Sequence, residues 1–131
     1  MSEYSIEIVA EPDDIDELGH VNNAVWVRWI QELATAHWTA VAPIAAIEQY
    51  IWVVSRHEID YRGNVGAGAK VTARTWIADQ PQGARFWRNS SFTDANGKIV
   101  VAAKTNWAII DRASQRPVRV PAALADLFLN R

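Results

Sequence analysis

The residue types best suited to chemistry crowd into one stretch of this 131-residue chain, Asp14-Ile15-Asp16-Glu17-Leu18-Gly19-His20-Val21-Asn22-Asn23. Acidic residues lead into a glycine turn, a histidine and two asparagines, and a long apolar run from Ala24 to about Val41 follows. Asn22 or Asn23 is a natural helix N-cap, because the short amide oxygen accepts a bond from an orphan backbone N–H. The helix N-terminus behind it offers unpaired N–H groups and the positive end of a dipole. A carboxylate a few residues upstream can face the same space. Such a pairing can polarise a carbonyl and attack it.

Other chemistries lack their residues. The chain has no cysteine, which excludes disulfides, thiolate-ligated zinc and a thiol nucleophile. It has no Gly-x-Ser-x-Gly elbow, and Ser90-Ser91 falls inside a strand pattern. Gly63 to Lys70 resembles a phosphate loop, but Ala69 separates Gly68 from Lys70 and Val71 follows, so the pattern fails. His20, His37 and His57 lack metal-ligand spacing; neither a metal nor a cofactor is expected.

The elements that position the acidic stretch are legible on both sides of it. Between Ala24 and Val41, Arg28, Glu32, Thr35 and Thr39 share one narrow stripe, while Trp26, Val27, Trp29, Ile30, Leu33, Trp38 and Val41 cover most of the rest. A helix apolar most of the way round must be wrapped by something. Pro43 stops it. Ser5 to Val9 alternates as a short strand, and Ile44 to Gln49 suits a turn or two of helix. Strands are predicted over Tyr50–Arg62, Lys70–Asp79, Arg85–Asp94 and Lys98–Asp111, and a short helix over Pro121–Asn130. In the first of these, alternation puts Val53, Ser55, His57, Ile59 and Tyr61 on one face. Asp94-Ala95-Asn96-Gly97 is a hairpin signal. The last strand is apolar on both faces and reads as central. The economical solution is an α+β fold, with an antiparallel sheet of about five strands curled round one long buried helix. With half the chain hydrophobic and no linker or repeat, residues 1–131 read as a single domain.

A net charge of −2 and a pI near 5.9 argue against a nucleic-acid or membrane-surface partner held by bulk charge. Met-Ser-Glu-Tyr-Ser lacks the regions of a signal peptide, and no apolar span is long enough for a bilayer. A soluble, cytoplasmic protein is the expectation.

Element order and the stretch from Asp14 to Trp26 together resemble the hotdog-fold thioesterases of the 4-hydroxybenzoyl-CoA thioesterase type. Their signature is an Asp, two residues, Gly, then a His-Val-Asn-Asn-like run ending in an aromatic. Ile59-Asp60-Tyr61-Arg62 with Gly68 is similar to the family's second-strand segment and its glycine turn. The resemblance covers nearly the whole chain and implies hydrolysis of an acyl thioester, carried by CoA or by an acyl-carrier protein, to free acid and thiol. Carried over by position, Asp16 matches the catalytic carboxylate, as nucleophile or general base. The oxyanion contact is a backbone N–H falling at or near Asn23. His20 matches a histidine of the acyl-carrier-protein branch, although Leu18 stands where that branch has asparagine. Gly19, Val21, Asn22 and Trp26 fall among the substrate-binding positions. In the turn Asp79 to Gly83, where the aromatic-type enzymes carry a basic run for CoA phosphates, the nearby basic residue is Arg85. The resemblance also implies a homodimer or a dimer of dimers. The rival from another class is a non-catalytic acyl-thioester sensor on the same fold. A hydratase would need a different Asp/His arrangement on the helix.

Overall fold

The computed structural model describes residues 2–129. Strand β1 (Glu3–Val9) leads through a 3-10 turn at Pro12–Asp14 to helix α1 (Asn23–Val41), and a second short helix, α2, occupies Ile44–Gln49. Four long strands follow: β2 (Tyr50–Tyr61), β3 (Lys70–Trp76), β4 (Arg85–Thr93) and β5 (Ile99–Asp111). A two-residue strand β6 (Arg116–Pro117) and helix α3 (Ala122–Leu129) close the described chain. All pairings are antiparallel, in the order β1-β3-β4-β5-β2, with β6 on β5. The sheet curls round α1, which is the hotdog architecture.

The wrapped helix follows its pattern. Val25, Trp26, Trp29, Ile30, Leu33, Ala34, His37 and Trp38 are buried, while Arg28, Glu32, Thr35 and Thr39 line an exposed stripe. Asn22 is the N-cap, its side-chain oxygen accepting the Ala24 N–H at 2.9 Å. β5 lies between β4 and β2, an interior strand mostly covered on both faces. The predicted strand ends shrink: β3 stops at Trp76, ahead of Asp79, and β4 stops at Thr93. The helix predicted to reach Asn130 is seen to Leu129, since Asn130 lies outside the described residues. Neither β6 nor the 3-10 turn has a periodic signature long enough to announce it.

One expected face is wrong. Val54 pairs with Trp107 and Arg56 with Asn106, so Ser55 is an extra residue, a β-bulge. The extra residue flips every later side chain relative to strict alternation. Tyr50, Trp52 and Val54 therefore face inward together with His57 and Ile59, and Val53 faces out, 43 % exposed.

The core beneath α1 falls into two apolar clusters. One gathers Val21, Trp26, Trp29, Ile30 and Leu33 against Val71, Phe92 and Val101 at the N-terminal end of the helix. The other gathers Trp38, Ile77, Phe86, Ile109 and Phe128 at its C-terminal end. A polar band crosses the sheet between them. Thr75 pairs in register with Ser90, and Arg88 and His57 both sit opposite Thr105. His37 meets this band from the helix, its Nδ1 accepting from Arg88 Nη1 at 2.8 Å.

Candidate active site

The segment from Ile15 to Val21 closes on itself as a tight turn. Ile15 and Val21 form an isolated antiparallel bridge, and the Asp16 N–H donates to the His20 carbonyl at 2.8 Å. Gly19 turns the corner at φ 78°, left-handed backbone that glycine adopts without the Cβ penalty. Nothing lies within 4 Å of a Cβ built there, so the demand is conformational rather than one of space. A second loop braces this turn from behind. The Asn64 side chain accepts the Val21 N–H at 3.0 Å and donates to the Val21 carbonyl at 3.2 Å. Gly66 comes close enough that an added Cβ would stand 3.5 Å from the Gly19 carbonyl oxygen.

Two aspartates at this turn are held in opposite ways. Asp14 is buried; its Oδ2 accepts the Glu11 N–H and its Oδ1 accepts from Arg28 Nη2, both at 2.9 Å. The Glu11 N–H foremost, and then the Arg28 guanidinium, hold its carboxyl below the ordinary value. Its carbonyl accepts the Asn22 N–H at 2.9 Å, tying the turn to the helix cap. Asp14 is thus a brace. Asp16 is half-buried, and its Oδ1 takes the Leu18 and His20 N–H groups at 2.9 and 3.2 Å. Its Oδ2 has no hydrogen-bond partner among the described residues. An open depression there is lined by Ile15, Asp16, Glu17, Leu18 and Asn22.

The other expected site residues separate into near and far. Asn23 is the first helical residue, exposed, and its N–H meets no acceptor among the described residues. His20 is exposed at the turn, with no imidazole hydrogen bond among them. Val21 is fully buried, so only its backbone reaches the turn. Trp26 is also fully buried, edge-on to Trp29 and Phe92, and contributes to the core under the turn rather than to its surface. Arg85 starts β4, two residues before Trp87 and next to Phe86, at the opposite end of the strand from Phe92. One protomer does not bring it to Asp16. Glu32 is exposed and ion-paired to Arg28 at 3.3 Å.

Two contributors escaped the sequence reading. Asn64 sits in a glycine-rich loop far from Val21 in the chain, with no local signal of its clamp. Tyr61, the last residue of β2, donates its hydroxyl to the Asn23 carbonyl at 3.4 Å, bringing a phenol to the helix N-terminus. Its neighbours in the Ile59-Asp60-Tyr61-Arg62 segment were the available clue. Among the described residues no group of three or more His, Cys, Asp or Glu could hold a metal ion, and no helix is long and apolar enough to cross a membrane.

An acyl-carrier-protein thioesterase from Bacteroides thetaiotaomicron superposes with a TM-score of 0.79 at 25 % identity, covering 88 % of this chain and 49 % of that one. This chain thus spans about half the length of that protein. A 1,4-dihydroxy-2-naphthoyl-CoA thioesterase from Synechocystis matches at TM-score 0.80 and 14 % identity over 97 % of this chain and 96 % of its own. A predicted thioesterase from Bacillus stearothermophilus reaches 0.86 at 18 % identity, over 98 % and 96 %. At such low identities the last two speak for the fold. No curated protein matches in sequence. The sequence model of the thioesterase-like superfamily, however, matches residues 10–128, from the end of β1 through α3 and so across the whole Asp16 turn; the chain belongs to that superfamily.

Proposed function

We propose that the protein hydrolyses an acyl thioester, with Asp16 as the catalytic carboxylate and the Asn23 N–H as the oxyanion donor. The observation that carries this reading is the Asp16 carboxylate itself. One oxygen is anchored by two backbone N–H groups and the other has no partner among the described residues, in an open depression shared with the cap of α1. The anchoring removes rotamer freedom from the group that must be aimed, and the free oxygen does the chemistry. Acting as base, Asp16 takes a proton from water while the oxygen adds to the thioester carbonyl. The oxyanion forms against the helix N-terminus, and its collapse expels the thiolate, which takes the proton back from Asp16. Acting as nucleophile, the carboxylate attacks directly, thiolate leaves, and water hydrolyses the resulting mixed anhydride. His20, exposed at the same turn, is a secondary contributor, and Gly19, Val21 and Asn22 shape the backbone that the substrate meets.

The same anchoring favours a second reading. Asp16 accepting N–H groups from two and four residues ahead is also what a turn-forming aspartate does, so a sensor that binds acyl thioesters without cleaving them is the alternative. Thiol release separates the two. Wild-type protein offered aryl, short and medium acyl-CoAs should release thiol from at least one, read by a thiol-reactive dye with no background from this cysteine-free chain. Binding without release, from CoA and from carrier-protein thioesters alike, would establish the sensor.

We further propose that residues 1–131 act as one hotdog domain, in the cytoplasm, and as a homodimer or dimer of dimers built on the edge of β2. That strand borders the sheet, and its outward Ile51 and Val53 are 40 % and 43 % exposed. Pairing β2 with a second β2 across a two-fold axis normal to the sheet runs antiparallel. The Tyr61 end, next to the active turn, would then meet the partner's Tyr50 end. Light scattering showing only a 14.7 kDa species would dismiss this assembly.

A further inference from the structure

At the far end of α1 a second cavity, of about 240 Å³, opens between the helix and β2. Trp38, Trp52, Phe86 and Trp107 make its walls, and two guanidiniums, Arg88 and Arg112, line it with no carboxylate among the lining residues. Arg88 is the anomaly. Its residue is 5 % exposed, yet among the described residues it makes no ion pair. Nη1 donates to His37 Nδ1 at 2.8 Å and to Thr75 Oγ1 at 2.9 Å, and the guanidinium stacks over the Phe128 ring at 5.3 Å. All three neighbours are neutral, since a histidine nitrogen that accepts from arginine cannot itself carry a proton. A guanidinium taken out of water without a counter-charge is costly, and burial pulls its pKa down to about 9. Such a group is stabilised by any anion that reaches it, and the cavity is the route. Its volume exceeds the ~150 Å³ that suffices for a benzene ring in an apolar protein cavity.

We propose that this cavity is a binding site for a small apolar carboxylate, its hydrocarbon or aryl body among Trp38, Trp52 and Trp107 and its carboxylate on the buried Arg88. Arg88, with five N–H donors in a planar fork, has more of them than its two acceptors among the described residues use, and a carboxylate matches that fork. The floor of the cavity selects charge and its walls select an apolar body. Roughly 20 Å of helix separate this site from the Asn23 end, and the inference requires neither thioester hydrolysis nor the dimer.

Octanoate and its neutral isostere octanamide test it, with benzoate and benzamide as the aryl pair. Binding is read by calorimetry and by tryptophan fluorescence, since three tryptophans line the walls. Each carboxylate should bind about tenfold or more tightly than its amide, the margin of a charge-assisted hydrogen bond. Arg88→Met, which keeps an unbranched apolar body, should erase that margin. Arg112→Gln, at an exposed position, should largely keep it. Because Arg88→Met removes a buried residue, Thr39→Trp supplies a variant at an exposed lining position: it should block the cavity and abolish octanoate binding while the melting temperature holds. Equal affinity for acid and amide, no binding of either, or octanoate binding that survives Thr39→Trp would overturn the proposal. So would a charge preference lost in Arg112→Gln and kept in Arg88→Met.

Discussion

The two ends of α1 handle a charge in opposite ways. At the N-terminus, Asp16 is negative, half-exposed and anchored by backbone N–H groups, with one oxygen open to the depression. Near the C-terminal end, Arg88 is positive, buried and shared among neutral partners. The first arrangement holds a carboxylate still while leaving it in contact with solvent. The second keeps a charge where water is scarce, which makes it a demand on whatever enters the cavity. One helix links them, so a change at either end reports on how far its influence travels along the fold.

Trp29→Asp should have the largest effect. Trp29 is 2 % exposed and packed edge-on against Trp26 under the Asp16 turn. An unpaired carboxylate there has no water-facing route, and the lost aromatic burial adds to the cost, together several kcal/mol. The expected outcome is an unfolded protein by circular dichroism. A folded, active variant would show that the N-terminal cluster does not carry the turn.

Asp16→Asn comes next, and it isolates the N-terminal end. The amide oxygen can still accept the Leu18 and His20 N–H groups, so the turn and melting temperature should hold. Thiol release should fall by about 10²–10⁴-fold, the usual loss on removing a general base. His20→Ala should cost less, its imidazole being exposed and without a hydrogen bond among the described residues. If Asp16→Asn keeps near-wild-type activity, the carboxylate assignment fails and Glu32 is the next to remove.

A pH titration of stability sharpens the C-terminal end. His37 is buried against Arg88 and Ser2, stacked on Tyr4 and edge-on to Phe128, and burial first, then the Arg88 charge, lower its pKa to about 4. The unfolded chain protonates this histidine near 6.5, the folded one only near 4. Stability from His37 is therefore complete above pH 6.5 and declines as pH falls through 4, by about 3 kcal/mol in all. His57 is shifted the same way by burial, so the decisive comparison is with His37→Gln, which should flatten part of the slope. Asp14 acts in a lower window, its contribution lost only as its depressed carboxyl protonates, below pH 3.8.

The same contrast explains what the sequence could show. The N-terminal site is local: cap, glycine, carboxylate and histidine lie within ten residues of one another, so spacing alone places them. The wrapped helix was legible because its apolar residues outnumber what one face needs. The polar band was not, because it is assembled across strands. Alternation of Phe86, Arg88, Ser90 and Phe92 in β4 was the available signal that Arg88 faces the core beside two phenylalanines. Reading His57 onto the same side as Trp52 required the Ser55 bulge, a single inserted residue with no compositional mark. Asn64 and Tyr61 reach the turn from distant segments, and only the folded register brings them there.

The smallest predicted effect is the most diagnostic for how the N-terminal end works. Asn22→Ala removes the side-chain acceptor of the Ala24 N–H and should cost about 1 kcal/mol, a fall of a few degrees in melting temperature. Its cost in catalysis should exceed what that instability explains, because Asn22 also lines the depression and its cap fixes the direction of the neighbouring Asn23 N–H. The expected sign is a lower kcat at a temperature where the variant is fully folded. Asn22→Ser, which can cap but presents a shorter side chain, should recover the melting temperature and most of kcat. Suppose instead that Asn22→Ala melts early but turns over normally when folded. The first turn of α1 would then be needed only for stability, and the oxyanion donor would have to be sought outside this turn, because the Gly19 and His20 N–H groups are already taken by Asp16 and the Val21 N–H by Asn64 and Val65.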